Sequence, residues 1–250
     1  MPSLACLIPA RFGSTRLPGK PLALLGGKAL IARTIGRAKE AGIFLRIVVV
    51  SDHVGILHEA KEAGAEVVLI DEPCASGTDR IAKALPFIEE EFVLNLQADE
   101  PFILPSLLKA LGDGIVHEGR DGLIYTSAAP ILRWEEFEDP NRVKVVMDTQ
   151  GRALYFSRSP VPYQQRTQEG PKRAFVHNGA YAMSRRTLEL FSGLPPATLE
   201  EIERLEQLRA LGHGFEFRVI VAPTQSFGID TPEDLQKAEA SLLCGQSSSL

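Results

Sequence analysis

Apolar residues along this chain fall into short, nearly continuous runs separated by stretches of helical spacing. Residues 4–9, 47–50, 67–70 and 92–96 are the runs, and uninterrupted apolar runs of this length suit strands buried on both faces. Between them, residues 30–41, 54–63 and 76–90 carry apolar positions three and four apart, the spacing of amphipathic helices. This βαβαβ rhythm predicts an α/β fold with an open, mostly parallel sheet and helices on both faces. From about 123 to 183 the pattern changes. Pro130, Pro140, Pro160, Pro162 and Pro171 punctuate strand-like pieces there, which predicts an inserted region of strands and loops over the sheet edge, available for self-association as a homodimer. A helix over about 198–211, a strand near 215–222 and a last helix after Thr231 complete one domain at 1–245, with a frayed tail at 246–250.

Composition narrows the class. The 250 residues, 44% hydrophobic and 24% charged, are those of an ordinary globular chain. With 27 Lys+Arg against 32 Asp+Glu the net charge is −5, which leaves no electrostatic footprint for a nucleic-acid partner. Cys6, Cys74 and Cys244 lack metal-ligand spacing, which predicts a reduced, cytoplasmic setting with Cys6 as core filler. The amino terminus has no secretory pattern, and no apolar run approaches the roughly 20 residues that span a bilayer, so no membrane partner is expected.

Local chemistry concentrates where apolar runs stop. Arg11, Arg16 and Lys20 follow the first run within a segment holding Gly13, Ser14 and Gly19. Glycine allows close backbone approach, main-chain N–H groups make a concave donor surface, and the cations match phosphate or carboxylate. Loops at the carboxyl ends of strands are also where open α/β sheets bind ligands. The run at 92–96 ends in Gln97-Ala98-Asp99-Glu100-Pro101. A strand-end carboxylate suits a hard cation such as Mg²⁺. In Ile229-Asp230-Thr231-Pro232-Glu233-Asp234, helix capping accounts for Thr231, Pro232 and Asp234 but leaves Asp230 unexplained. Asp99 and Asp230 could share one metal. Ser76 with Asp79 reads as a helix cap whose N–H groups and Gly77 could also meet a ligand. Arg158 ends a strand-like stretch and could clamp a carboxylate, while His177 reads first as a hydrogen-bonded structural histidine. In Leu205-Glu206-Gln207-Leu208-Arg209, the leucines face the core and the other residues are expected on a solvated face.

Taken together these segments resemble the sugar nucleotidyltransferases, and among them the 3-deoxy-manno-octulosonate (Kdo) cytidylyltransferase family. The resemblance runs in order through residues 8–11, 14–22, 76–80, 95–101, 141–146, 153–158, 205–209 and 228–234, nearly the whole chain. Tyr155-Phe156-Ser157-Arg158 and Leu205-Glu206-Gln207-Leu208-Arg209 narrow it to this family. It implies a nucleotide-diphospho-sugar transferase-like fold and transfer of CMP from CTP to the anomeric hydroxyl of Kdo for lipopolysaccharide synthesis. By the same resemblance, Arg11, Arg16 and Lys20 hold the triphosphate, with Lys20 offsetting charge on the leaving pyrophosphate. Asp99 and Asp230 bind Mg²⁺. Ala10, Ser14, Ser76, Arg80, Gln97 and Ala129 join the nucleotide site, and Arg158, His177, Tyr181, Glu206 and Gln207 contact the acid sugar.

Two departures stand out. Ala98 replaces a family glycine, and Asn178 and Ala180 change polarity and bulk beside the expected sugar site, which bears on the choice of sugar more than on the reaction. The same reaction on 8-amino-Kdo or a nonulosonic acid is the nearest alternative. Intact Lys20, Asp99 and Asp230 speak against a non-catalytic nucleotide sensor. The lack of an Asp-x-Asp motif speaks against a glycosyltransferase.

Overall fold

The computed structural model describes residues 3–14 and 16–243, so Thr15, Cys244 and the tail at 246–250 lie outside the described residues. Strand β1 (Leu4–Ala10) alternates its side chains between two apolar layers. Leu4, Cys6, Ile8 and Ala10 enter one cluster, Ala5 and Leu7 the other, as period two demands of a strand covered on both faces. The ribbon β2 (Leu24–Leu25) and β3 (Lys28–Ala29) follows, then α1 (Leu30–Ala41), β4 (Arg46–Ser51), α2 (Val54–Glu62), β5 (Glu66–Leu69), α3 (Gly77–Lys83), β6 (Phe92–Leu96) and α4 (Pro105–Glu118). The second half runs β7 (Leu123–Pro130), α5 (Trp134–Glu138), β8 (Lys144–Met147), β9 (Ala153–Ser157), β10 (Phe175–Ser184), α6 (Arg185–Ser192), α7 (Thr198–Glu203), α8 (Gln207–Gly212), β11 (Glu216–Val221) and α9 (Pro232–Leu243).

The main sheet has the order β11-β7-β10-β6-β1-β4-β5, with β8 paired to β10 and β9. On the main path only β10 runs against its neighbours, β6 and β7; the other pairs are parallel. The expected mostly parallel α/β sheet is therefore present. Its loops after β1, β4 and β6 open at one edge, where an α/β sheet binds ligands.

Four local expectations are corrected. Strands β7 and β10 do not lie over the sheet edge; they are interior strands of it, second and third from the β11 side. The prolines that suggested irregularity fall at the end of β7 or between strands, and leave the strands uninterrupted. Strand β5 is not buried on both faces but is the exposed edge. The helix expected over 76–90 stops at Lys83, and Pro86, which has no N–H to donate, sits in a tight turn at Leu85–Phe87. The helix expected over 198–211 is broken into α7 and α8 by Arg204, whose φ is 54°.

Candidate active site

The loop after β1 closes on itself through one carbonyl. Phe12 O accepts from Ser14 N at 2.9 Å and from Gly19 N at 3.2 Å. Gly19 has φ 64°, a left-handed conformation that an L side chain resists, and it starts the turn Lys20–Leu22 that aims Lys20 inward. The result is one wall of a cavity of about 300 Å³. Ala10, Arg11, Ser14, Arg16, Lys20, Ser76, Arg80, Gln97, Asp99 and Asp230 all line it. Ser76 caps α3 as expected, accepting from Asp79 N. Ala129, whose main chain is the group expected here, is not among the residues that line this cavity; its side chain packs into an apolar layer on β7.

Asp99 and Asp230 meet on Lys20. The ammonium contacts Asp99 Oδ2 and Asp230 Oδ1, the latter at 2.9 Å, and Arg16 reaches Asp230 Oδ2 at 3.1 Å. Chain distance is closed by the backbone: Ile229 N donates to Asp99 O at 3.0 Å, and the Ile229 side chain is buried with Leu25 and Leu30. Thr231 and Asp234 cap α9 reciprocally, fixing the segment that carries Asp230. Burial alone lowers the Lys20 ammonium, but the two carboxylates outweigh it and the net direction is up. For Asp230 burial raises the carboxyl, and Lys20 with Arg16 outweighs it downward. Neighbouring Glu100, half-buried and beside the Asp99 charge, is pushed by desolvation up to about 7 and is hydrogen-bonded by Ser226. Two carboxylates convergent on one cation at a cavity wall are hard oxygen donors in the arrangement a Mg²⁺ ion uses, so these residues fit one.

A second cavity, of about 750 Å³, adjoins the first and shares Arg16, Gln97 and Asp230 with it. Arg158, His177, Tyr181, Glu206 and Gln207 all line it. Arg158 is less free than a clamp needs to be. Its Nε donates to Glu203 O (2.7 Å), Nη1 to Pro140 O (3.0 Å) and Nη2 to Arg204 O (3.4 Å), so it ties together two walls of the cavity. His177 lies against Phe156 and Tyr181, and burial lowers its imidazole to about 3. The single Thr126 proton goes to Ala180 O at 2.8 Å. Its oxygen, 2.9 Å from His177 Nε2, must then accept, which puts the imidazole proton on Nε2 and leaves Nδ1 an acceptor. The solvated face expected around Leu205-Glu206-Gln207-Leu208-Arg209 is absent. Glu206 takes a hydrogen bond from Thr78, and Arg209 pairs with Glu200 at 2.9 Å and Asp79 at 3.3 Å while all three charged groups are largely shielded. Of the two departures expected beside the sugar, Asn178 lines the cavity, but Ala180 points into the core and does not.

Several residues of the site escaped the sequence reading. Asp52 accepts from Phe12 N (3.1 Å) and from Arg80 Nη2 (2.9 Å), joining the loop after β1 to the wall made by α3. It stands just past an apolar run, and the strand-end argument applied to Asp99 reaches it equally well. Lys144 is fully buried, donates to Asp139 O (2.8 Å) and Arg142 O, and is lowered by burial to about 8. It holds the 139–143 loop against the larger cavity. A lysine between valines was the available signal, as was the asparagine inside 92–96, since a polar side chain in a buried strand needs a built partner.

The cations after β1 line a cavity that opens past Arg16, Gln97 and Asp230 into a second polar one, an arrangement that suits a nucleotidyltransferase, and that is the class the known relatives show. The Cytidylyltransferase family model matches residues 5–217. A 3-deoxy-manno-octulosonate cytidylyltransferase from Syntrophotalea carbinolica is 40% identical, over 96% of this chain and 98% of the relative. An 8-amino-3,8-dideoxy-manno-octulosonate cytidylyltransferase from Shewanella pealeana is 39% identical, over 96% and 98%. The solved structure of a CMP:2-keto-3-deoxy-manno-octonic acid synthetase complexed with CTP superposes with a TM-score of 0.89 at 34% identity, over 97% of this chain and 99% of that one. The chain belongs to the 3-deoxy-manno-octulosonate cytidylyltransferase family.

Proposed function

We propose that this chain transfers CMP from CTP to the anomeric hydroxyl of Kdo, releasing pyrophosphate and forming the activated sugar used in lipopolysaccharide synthesis. The observation that carries the reading is the junction of the cavities: Lys20, Asp99 and Asp230 converge where the nucleotide space meets the larger one, with Arg16, Gln97 and Asp230 common to both. Arg11, Arg16 and Lys20 hold the triphosphate. Lys20 offsets the charge that grows on pyrophosphate as the bond to the α-phosphorus breaks and the sugar oxygen takes its place. Such transfer depends mostly on positioning and fixed charge. Asp99 and Asp230 are the residues to hold Mg²⁺, which supplies charge neutralisation and a lowered hydroxyl pKa when bound. Ala10, Ser14, Ser76, Arg80 and Gln97 surround the nucleotide. Neutral His177 offers Nδ1 as an acceptor to a sugar hydroxyl, alongside Tyr181, Glu206, Gln207 and the donors left on Arg158.

No helix among the described residues is long and apolar enough to cross a membrane. A cytoplasmic homodimer is part of the proposal, supported by the exposed Leu132, Leu154 and Tyr163 in the 123–183 region. The test crosses four nucleoside triphosphates with Kdo, 8-amino-Kdo and sialic acid, with and without Mg²⁺, and reads pyrophosphate release. Turnover is expected for CTP with Kdo and metal. Success with 8-amino-Kdo or sialic acid and failure with Kdo moves the substrate assignment; failure with every sugar overturns the reaction.

A further inference from the structure

Beneath the floor common to both cavities, four polar side chains form one directed chain. Gln97 Nε2 donates to Asn95 Oδ1 (3.2 Å), Asn95 Nδ2 donates to Thr78 Oγ1 (3.1 Å), and the Thr78 hydroxyl donates to Glu206 Oε1 (2.7 Å). Asn95 on β6 is fully buried and Thr78 on α3 is 2% exposed, so neither exchanges its partner for water, and breaking one link strands a buried polar group. The ends of the chain face different ligands. Gln97 lines both cavities, whereas Glu206 lines only the larger one. The second oxygen of Glu206, Oε2, is buried with no hydrogen-bond partner among the described residues. Closed off in this geometry, it gains a partner from the larger cavity, which Glu206 itself lines, when the carboxyl turns towards a ligand group there. Helix α3 carries the middle of the chain, and the residues at its start, Ser76 and Gly77, belong to the nucleotide wall. It is also fastened to the start of α8 by the Asp79–Arg209 pair.

We propose that Thr78 and Asn95 are positioning residues that couple the two cavities, so that nucleotide seated against Gln97 and the start of α3 raises affinity for the sugar held at Glu206. The inference rests on the CMP-transfer reading above. Nucleotide binding fixes Gln97 and α3, the directed chain then commits the Thr78 proton to Oε1, and the Glu206 carboxyl is set to turn Oε2 to the sugar. The coupling exists because one hydrogen-bonded chain contacts both ligands' walls, and it acts in both directions.

Initial rates of pyrophosphate release over a grid of CTP and Kdo concentrations, at fixed Mg²⁺, give the sugar constant at vanishing and at saturating CTP. In the parent protein the ratio of the two is expected to be about tenfold. Thr78→Val, close in shape but without the hydroxyl, brings the ratio to about one and leaves the CTP constant within about twofold, since it touches no nucleotide group. Thr78→Ser restores the ratio. Asn95→Ser breaks the same chain one link earlier and abolishes the ratio too, which keeps the test decisive if Thr78→Val does not fold. A general loss of stability lowers the rate without removing the ratio or allowing serine to rescue it. A parent ratio of one, or a parental ratio in Thr78→Val or Asn95→Ser, overturns the coupling while the reaction stands. A parent that turns over no acid sugar removes the reaction itself and this inference with it.

Discussion

Lys20 is the residue on which most of the site's charge converges. Its ammonium holds Asp99 and Asp230 together, and in the proposed reaction it is the cation that meets the leaving pyrophosphate. Lys20→Met removes a preorganised charge and leaves two carboxylates side by side, so kcat for pyrophosphate release is expected to fall by about 10²- to 10³-fold. The rate assay is read beside circular dichroism to show that the fold persists. His177 gives a different signature. In the unfolded chain an imidazole gains its proton near its ordinary 6.5, but burial holds the folded group to about 3. Between those values the unfolded state binds more protons, so the contribution of His177 is complete above 6.5 and is lost as pH falls towards 3. His177→Asn, which keeps an acceptor near Nδ1, is expected to flatten the fall in melting temperature over that window. The difference is at most about 1.4 kcal/mol per pH unit. An equal slope in both proteins removes the assignment of a buried neutral imidazole.

At the scale of elements, the α7–α8 corner shows how a site wall is made from pieces that sequence spacing joins into one helix. Glu203 at the end of α7 accepts from Ser157 Oγ (2.6 Å) and Arg158 N (2.8 Å), and Arg204 then turns through the left-handed region. These contacts deliver Glu206 and Gln207 to the larger cavity. Arg209 secures the corner by bridging Glu200 on α7 and Asp79 on α3, with its guanidinium 5.4 Å from the centre of the Phe191 ring. Arg209→Ala leaves two shielded carboxylates without their cation and is expected to cost about 3 kcal/mol. A urea midpoint shift checks this; a change under about 0.5 kcal/mol, the scale of an ordinary surface substitution, shows the pair to be dispensable.

Across the whole molecule, the cavity proposed to hold the nucleotide draws on β1, the loop after it, α3, the end of β6 and the segment before α9. A ligand that ties these together stabilises the folded chain. CTP at about a hundred times its dissociation constant adds about 2.7 kcal/mol, or about 5–10 °C in melting temperature for a domain of this size. A thermal scan with CTP, beside UTP at equal concentration, checks it. No shift with CTP contradicts a nucleotide site here, and equal shifts show that the base is not read.

How much was legible in the sequence follows from what each signal depends on. Strand and helix placement in the first half came through because apolar period and capping are local: β1, β4, β6, α1 and α2 lie where the pattern set them. The cradle of Arg11, Arg16 and Lys20 was legible for the same reason, being one glycine-bearing segment after one strand. The interior placement of β7 and β10 was not, because strand order is fixed by pairing between distant segments and a proline between strands looks locally like a proline within one. Nor were the chain from Gln97 to Glu206, the anchoring by Asp52 and Lys144, or the spending of Arg158 on carbonyls, since hydrogen bonds across the fold leave no period in the sequence. The sequence by itself determined which groups could carry charge and where strands end. The tertiary structure alone decided which of those groups meet, because burial removes water as an alternative partner and each polar atom must then take the one within reach.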